Sequence, residues 1–190
     1  MKDLCSSRWF CRSLPAIVST LGLMPLVATV PTVLADHAIG ADTGIAWQAR
    51  LLEVDEAMAR GDLVTAERQW REAYAAALKS RHWQGMVAAG DTYRVLGARA
   101  GFRTTSIAKA RQAYRTALFR ARAEGSVEGV LRTAERFAEL DDRDVVEQCI
   151  QVARRVAAQS PDPQAMELVR AFTERWAADA RGSHYRGLTP

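Results

Sequence analysis

Three stretches of the chain place a small or β-branched residue, a large residue four positions later and an alanine three beyond that. They are Ala66-x-x-x-Trp70-x-x-Ala73, Ala110-x-x-x-Tyr114-x-x-Ala117 and Val146-x-x-x-Ile150-x-x-Ala153. Spacings of four and three fall on one side of the backbone only in an α-helix. The small residue lets two helices approach closely, and the bulky one a turn later fills the space between helix pairs. The copies are offset by 44 and 36 residues. The pattern therefore predicts a tandem of like units, each long enough for two helices. The competing reading is a helical bundle whose alanine spacing is coincidental.

The rest of the chain agrees with helices. No proline falls between Val33 and Ser160. Ala, Leu, Glu, Arg and Gln dominate there, all good helix formers, and no stretch alternates with period two. The breaks are Gly61-Asp62, Ser80-Arg81-His82, Gly97 to Thr105, Gly125-Ser126, Asp141-Asp142 and Ser160-Pro161-Asp162-Pro163. Several pair a glycine, suited to ending a helix, with a side chain suited to capping the next. Seven helices follow, at about 44–60, 62–80, 82–98, 105–124, 127–140, 143–159 and 163–180. Short connections pack neighbours antiparallel.

In this register the chain resembles the tetratricopeptide repeat, a helix–turn–helix unit of roughly 34 residues with a W-x2-L-G-x2-Y…A-x3-F…P pattern. The middle unit carries it best: Met86-x-x-Ala89-Gly90-x-x-Tyr93, then Leu96-Gly97, then Ala110-x-x-x-Tyr114. The third unit supplies Ala134-x-x-Phe137, Leu140, Val146-x-x-x-Ile150 and Pro161; the first supplies Gly61-Asp62-Leu63 and Ala66-x-x-x-Trp70. No unit has the whole motif. The middle one holds about eight extra residues between Gly97 and Ala110, which either lengthen its helices or form a loop. The resemblance implies an all-α fold of three antiparallel helix pairs, with the helix at 163–180 closing the stack as repeat arrays require.

Ahead of the repeats, Lys2, Arg8 and Arg12 precede a charge-free run from Leu14 to Leu34, ending Val33-Leu34-Ala35 before Asp36. A basic start, an apolar middle and a small exit residue are the parts of a secretory signal peptide. Residues 1–35 are read as that signal, 36–43 as a linker, 44–180 as the repeat domain and 181–190 as a flexible tail, placing the protein in the periplasm or outside the cell. The run is also about long enough for an uncleaved anchor, although Pro25 and Pro31 disfavour a straight helix. Cys5 and Cys11 precede the run instead of ending it, which argues against a lipoprotein.

Removing this segment takes three of the 26 basic and one of the 22 acidic residues, leaving 23 against 21. Nucleic-acid binding is therefore not expected. Only Cys149 remains, so no internal disulfide is available, and burial as a small apolar residue is its expected state.

Signals for chemistry are thin. No phosphate loop, haem motif or zinc motif occurs. His37 and His184 lie near the ends and His82 at a junction, so no cofactor or metal is expected. The resemblance implies instead a protein or peptide partner held along the first helix of each pair. Carried onto this chain, the groove positions are Gln84, Asp91 and Arg94 in the middle unit, Glu128, Glu135 and Glu139 in the third, and Gln48 and Asp55 in the first. Five of these eight are acidic, so the expected partner is basic, with Arg94 reading a carboxylate and Leu131 or Val87 adding apolar contact. The alternatives are a bundle carrying a small molecule or metal in a cavity, and an enzyme whose site has no familiar motif. Membrane contact enters only with an uncleaved leader.

Overall fold

The computed structural model describes residues 35–186, with side chains from 46 to 179. The expected signal segment, His37 and His184 lie outside the described side chains. Seven helices run in order: α1 (Ala35–Ala59), α2 (Leu63–Ser80), α3 (Trp83–Arg99), α4 (Arg103–Ala123), α5 (Val127–Ala138), α6 (Arg143–Gln159) and α7 (Gln164–Arg186). Each packs on the next, giving three helix pairs and a closing helix, an all-α repeat-like solenoid. Helix α1 begins well before the expected start at 44, and α7 continues beyond 180. No helix among the described residues is long and apolar enough to cross a membrane.

The connections follow from local chemistry. Gly61, Gly101 and Gly125 all have positive φ, as do Arg81 and Asp141. Asp62 caps α2 by accepting the Thr65 amide at 3.0 Å, and Ser126 caps α5 by accepting the Gly129 amide at 3.0 Å. Asp162 accepts the Gln164 amide at 2.9 Å at the start of α7. Two expected caps take other forms. No side chain caps α4, which starts directly after Phe102. The Ser106 hydroxyl instead donates to the Arg103 carbonyl at 2.8 Å. Asp142 precedes α6 without a side-chain cap, because its carboxylate is taken by Arg111. The extra residues of the middle unit form no loop: only Ala100 to Phe102 separate α3 from α4, and α4 absorbs the remainder in its 21 residues.

The alanines of the repeat register do what their size permits. Ala66, Ala73, Ala110, Ala117 and Ala153 are all fully buried. Trp70, at the bulky position of the first unit, stacks on Tyr93 with ring centroids 3.9 Å apart and donates its indole N–H to the Ala89 carbonyl at 2.8 Å. Tyr114 and Phe137 meet edge to face at 5.9 Å. Such pairs add about 0.5–1.5 kcal/mol beyond their area burial.

A second repeat runs between units. A Cβ on Gly85 would lie 3.1 Å from Ala77 Cβ and 3.2 Å from the Trp47 indole nitrogen. A Cβ on Gly129 would lie 2.7 Å from Ala121 Cβ and 2.8 Å from the Trp83 indole nitrogen. In both joints a tryptophan opening one unit and an alanine late in its second helix close on a glycine of the next unit. The matching sequence signal is Trp47-Gln48-Ala49, Trp83-Gln84-Gly85, Val127-Glu128-Gly129 and Pro163-Gln164-Ala165. It places α7 in the position of a fourth first helix.

Among the described residues, α1 touches α3, α3 touches α5, α5 touches α7 and α4 touches α6, and Arg120 of α4 reaches the Ala77 and Leu78 carbonyls of α2.

Candidate functional site: the face of the first helices

On α3, Asp91 and Arg94 are three residues apart; so are Arg136 of α5 and Glu139, the residue that ends it. Three-residue spacing puts each pair on one helix face, and packing of α3 on α5 brings the faces together. The Arg136 Nε donates to Asp91 Oδ2 at 2.9 Å, and the Arg94 Nη1 donates to Glu139 Oε2 at 2.7 Å. Arg136 also pairs with Glu139. From behind, the Tyr114 hydroxyl of α4 donates to Asp91 Oδ1 at 2.7 Å and accepts from Arg94 at 3.5 Å. Two cations and two anions thus alternate across the joint.

Their burial is graded. The Arg136 side chain is 18% exposed and that of Glu139 is 44% exposed. Desolvation pushes the Glu139 carboxyl up, but hydrogen bonds and charge from Arg94 and Arg136 outweigh it and hold the group below the ordinary carboxylate range. Burial, reinforced by the hydrogen bond to Asp91, pushes the Tyr114 phenol far up. Single exposed pairs contribute only about 0–1 kcal/mol; a shared, partly desolvated network positions its members more firmly than isolated pairs.

Next to this joint, Arg111 of α4 forks onto Asp142 with Nε–Oδ2 at 2.6 Å and Nη2–Oδ1 at 2.8 Å. The hydrogen bonds to Asp142 hold the Arg111 guanidinium above its usual range. Fork geometry of this kind is specific to arginine.

The predicted groove residues divide accordingly. Asp91, Arg94 and Glu139 come together in the ionic joint. Glu135 is held by Arg132 at 3.1 Å, with Arg175 at 3.8 Å. Gln48, Asp55, Gln84 and Glu128 are exposed and stand apart from that cluster. The acidic count therefore does not translate into an acidic surface, because three of the five carboxylates already face arginines. The two apolar contacts expected also move. Val87 and Leu131 are buried at 6% and 8% exposure, whereas Val95 and Leu168 are open at 46% and 49%.

The sequence reading missed Arg136, Tyr114 and Arg111 as members of this surface. Tyr114 stood in the repeat register, but as a packing residue. The three-residue spacing of Arg136 and Glu139 was a usable signal for a shared face, though not for what that face meets.

Three clefts occupy this side. One of about 780 Å³ lies between α3, α4 and α5, lined by Arg94, Val95, Ile107, Arg136 and Leu140 among others. A second of about 550 Å³ lies between α5 and α7 and shares Glu139 and Asp141 with the first. A third of about 670 Å³, containing Leu131 and Leu168, shares Glu135 and Arg175 with the second. The three clefts thus adjoin along α5. No group of three or more His, Cys, Asp or Glu among the described residues is arranged to hold a metal ion. Cys149 is fully buried, and burial pushes its thiol up to about 12, far from the reactive range.

Comparison of the chain with protein-family models, with curated proteins and with solved structures finds no match.

Proposed function

We propose that this protein is an exported scaffold of tetratricopeptide type, and that it holds an extended segment of another protein along the face of α3, α5 and α7. The observation that carries this reading is that the three clefts adjoin along α5. A linear segment needs a long shallow channel with apolar patches and scattered polar partners, and Val95 and Leu168 lie exposed within it. A closed apolar or His-lined cavity would have favoured a carrier. The basic leader, apolar run and Ala35 motivate the export part of the proposal.

The partner is expected to be of mixed charge where it crosses the α3–α5 joint, since that joint is internally neutralised. Photocrosslinking tests the reading. A benzophenone side chain at position 95, 98 or 168, in cells of the source organism, should give a discrete crosslinked species. The same group at Arg122, on the exposed back of α4, should not. Crosslinks from the back alone would overturn the groove assignment. Export is tested separately, by fractionation and N-terminal sequencing; full-length protein in the cytoplasm would refute it.

A further inference from the structure

The cleft between α5 and α7 differs in chemistry from the rest of the channel. Phe172 and Trp176, one turn apart on α7, form an aromatic wall. Trp176 is only half-buried. Four carboxylates line the cleft, those of Glu135, Glu139, Asp141 and Asp179, against the two guanidiniums of Arg143 and Arg175. Glu139 is engaged by Arg136 and by Arg94 of α3, and Glu135 by Arg132 and by Arg175 of α7. Asp141 is paired with Arg143 alone, at 3.1 Å, and its side chain is 85% exposed. Asp179 has no cationic partner among the described residues.

Both rings already carry a guanidinium. The Arg143 Cζ stands 5.9 Å from the Trp176 ring centroid, and the Arg175 Cζ stands 5.9 Å from that of Phe172. Cations gather over indole faces because the ring quadrupole attracts them, and Trp does so best. The geometry thus displays a guanidinium on the tryptophan with a carboxylate beside it. The occupant is weakly held: Arg143 is 43% exposed and its carboxylate is two residues away in sequence, the kind of surface pair that contributes little.

We propose that this cleft is a side-chain pocket for an arginine or lysine of the bound segment. Trp176 is its platform, Asp141 and Asp179 are its counter-charges, and Arg143 is an internal occupant that the partner's cation displaces. Arg143 stays tethered beside the cleft when it leaves the ring, so the incoming cation adds one positive charge, which the carboxylates of Asp141 and Asp179 oppose. The pocket rests on the groove reading and sharpens it: the expected basic character of the partner belongs at the α5–α7 end and not at the α3–α5 joint.

The test uses the full chain and two capped pentapeptides, Gly-Gly-Arg-Gly-Gly and the same sequence with citrulline, which keeps the shape of arginine without its charge. The readout is the Trp176 indole N–H resonance, assigned through Trp176→Phe. The arginine peptide should shift that resonance saturably and the citrulline peptide at least tenfold less tightly. Asp179→Asn, at an exposed position, should weaken binding severalfold. Arg143→Ala should tighten it severalfold by vacating the ring. Equal response to the two peptides, or weaker binding by Arg143→Ala, would overturn the pocket. Groove crosslinks from position 95 that persist alongside such a result would retire the pocket and leave the groove reading standing. Peptide selectivity without groove crosslinks would do the reverse to the groove assignment.

Discussion

The Tyr114 hydroxyl donates to Asp91 Oδ1 at 2.7 Å, which ties the second helix of the middle unit to the ionic joint between α3 and α5. Tyr114 is fully buried and the Asp91 side chain is 34% exposed, so the bond is partly shielded from water. Tyr114→Phe keeps the ring and its contact with Phe137 but removes the donor. The expected cost is about 0.5–1.5 kcal/mol, which lowers the melting temperature by roughly 2–4 °C per kcal/mol in a domain of this size. An unchanged melting temperature would mean that Arg136 alone satisfies Asp91.

Gly97 and Ser106 mark the closest approach of α3 and α4. A Cβ on Gly97 would lie 2.1 Å from Ser106 Oγ and 2.2 Å from its Cβ. Alanine favours a helix over glycine by about 1 kcal/mol, but a Cβ–Cβ clash of this size cannot be relieved by turning a side chain. Gly97→Ala should destabilise by a net of about 1–3 kcal/mol. Adding Ser106→Gly should recover part of the loss. Urea denaturation of the two variants checks both statements, and a more stable single variant would refute the packing.

Arg120 of α4 closes the end of α2. Its Nη1 donates to the Ala77 and His82 carbonyls at 2.9 and 3.1 Å, and its Nη2 to the Leu78 carbonyl at 2.9 Å. These acceptors include carbonyls that a helix C-terminus leaves unpaired, and a cation there also opposes the helix dipole. Arg120→Ala should cost about 1–3 kcal/mol. Lysine should restore only part of it, because one ammonium cannot reproduce the planar fork. Full recovery with lysine, in thermal melts, would show that charge alone matters.

The joint between α3 and α5 should be acid-sensitive. Glu139 has a folded-state pKa below its unfolded value. Its contribution is therefore complete above the unfolded carboxylate range, near 4.3, and declines as pH falls through the lower folded value. Stability measured from pH 7 down to pH 3 should fall less steeply in Glu139→Gln than in the parent. Parallel curves would place the acid sensitivity elsewhere. Reversing Glu135 and Glu139 to Lys would set new cations among Arg94, Arg136 and Arg132, so that double change should lower stability as well as alter the groove.

Binding along the channel should depend on its open apolar residues. Val95→Asp, at 46% exposure, should leave the melting temperature within about 1–2 °C, since surface changes away from special features stay near ±0.5 kcal/mol. It should abolish crosslinking from position 98. Retained crosslinking would remove Val95 from the contact surface.

Much of this architecture was readable in advance because its causes are local. Gly61-Asp62 and Gly125-Ser126 carry their turn geometry and their caps in adjacent residues, so the ends of α1, α2, α4 and α5 fell close to expectation. The burial of Ala66 and Ala110 followed from size and spacing. The partners of charged side chains did not follow. Asp91 looked like a free groove acid until packing set Arg136, 45 residues away, against it. Asp142 looked like a helix cap until Arg111 claimed its carboxylate. Such pairings depend on the crossing of helices, which a single helix's periodicity does not specify. The Trp47, Trp83, Val127 and Pro163 register lies in the sequence too, but which alanine and glycine each tryptophan meets depends on how the units pack.

The tryptophan–alanine–glycine joint has a consequence for how such a chain grows. Removing residues 83–126 would bring Gly129 into the place of Gly85, facing the same Ala77 and Trp47. That one contact would be repeated, while the Arg120 clamp on α2 would be lost. A gene built this way can gain or lose a whole unit by unequal crossing-over at matching points and keep the glycine contact at the joint. The number of units can then change while the glycine contact at each joint is kept.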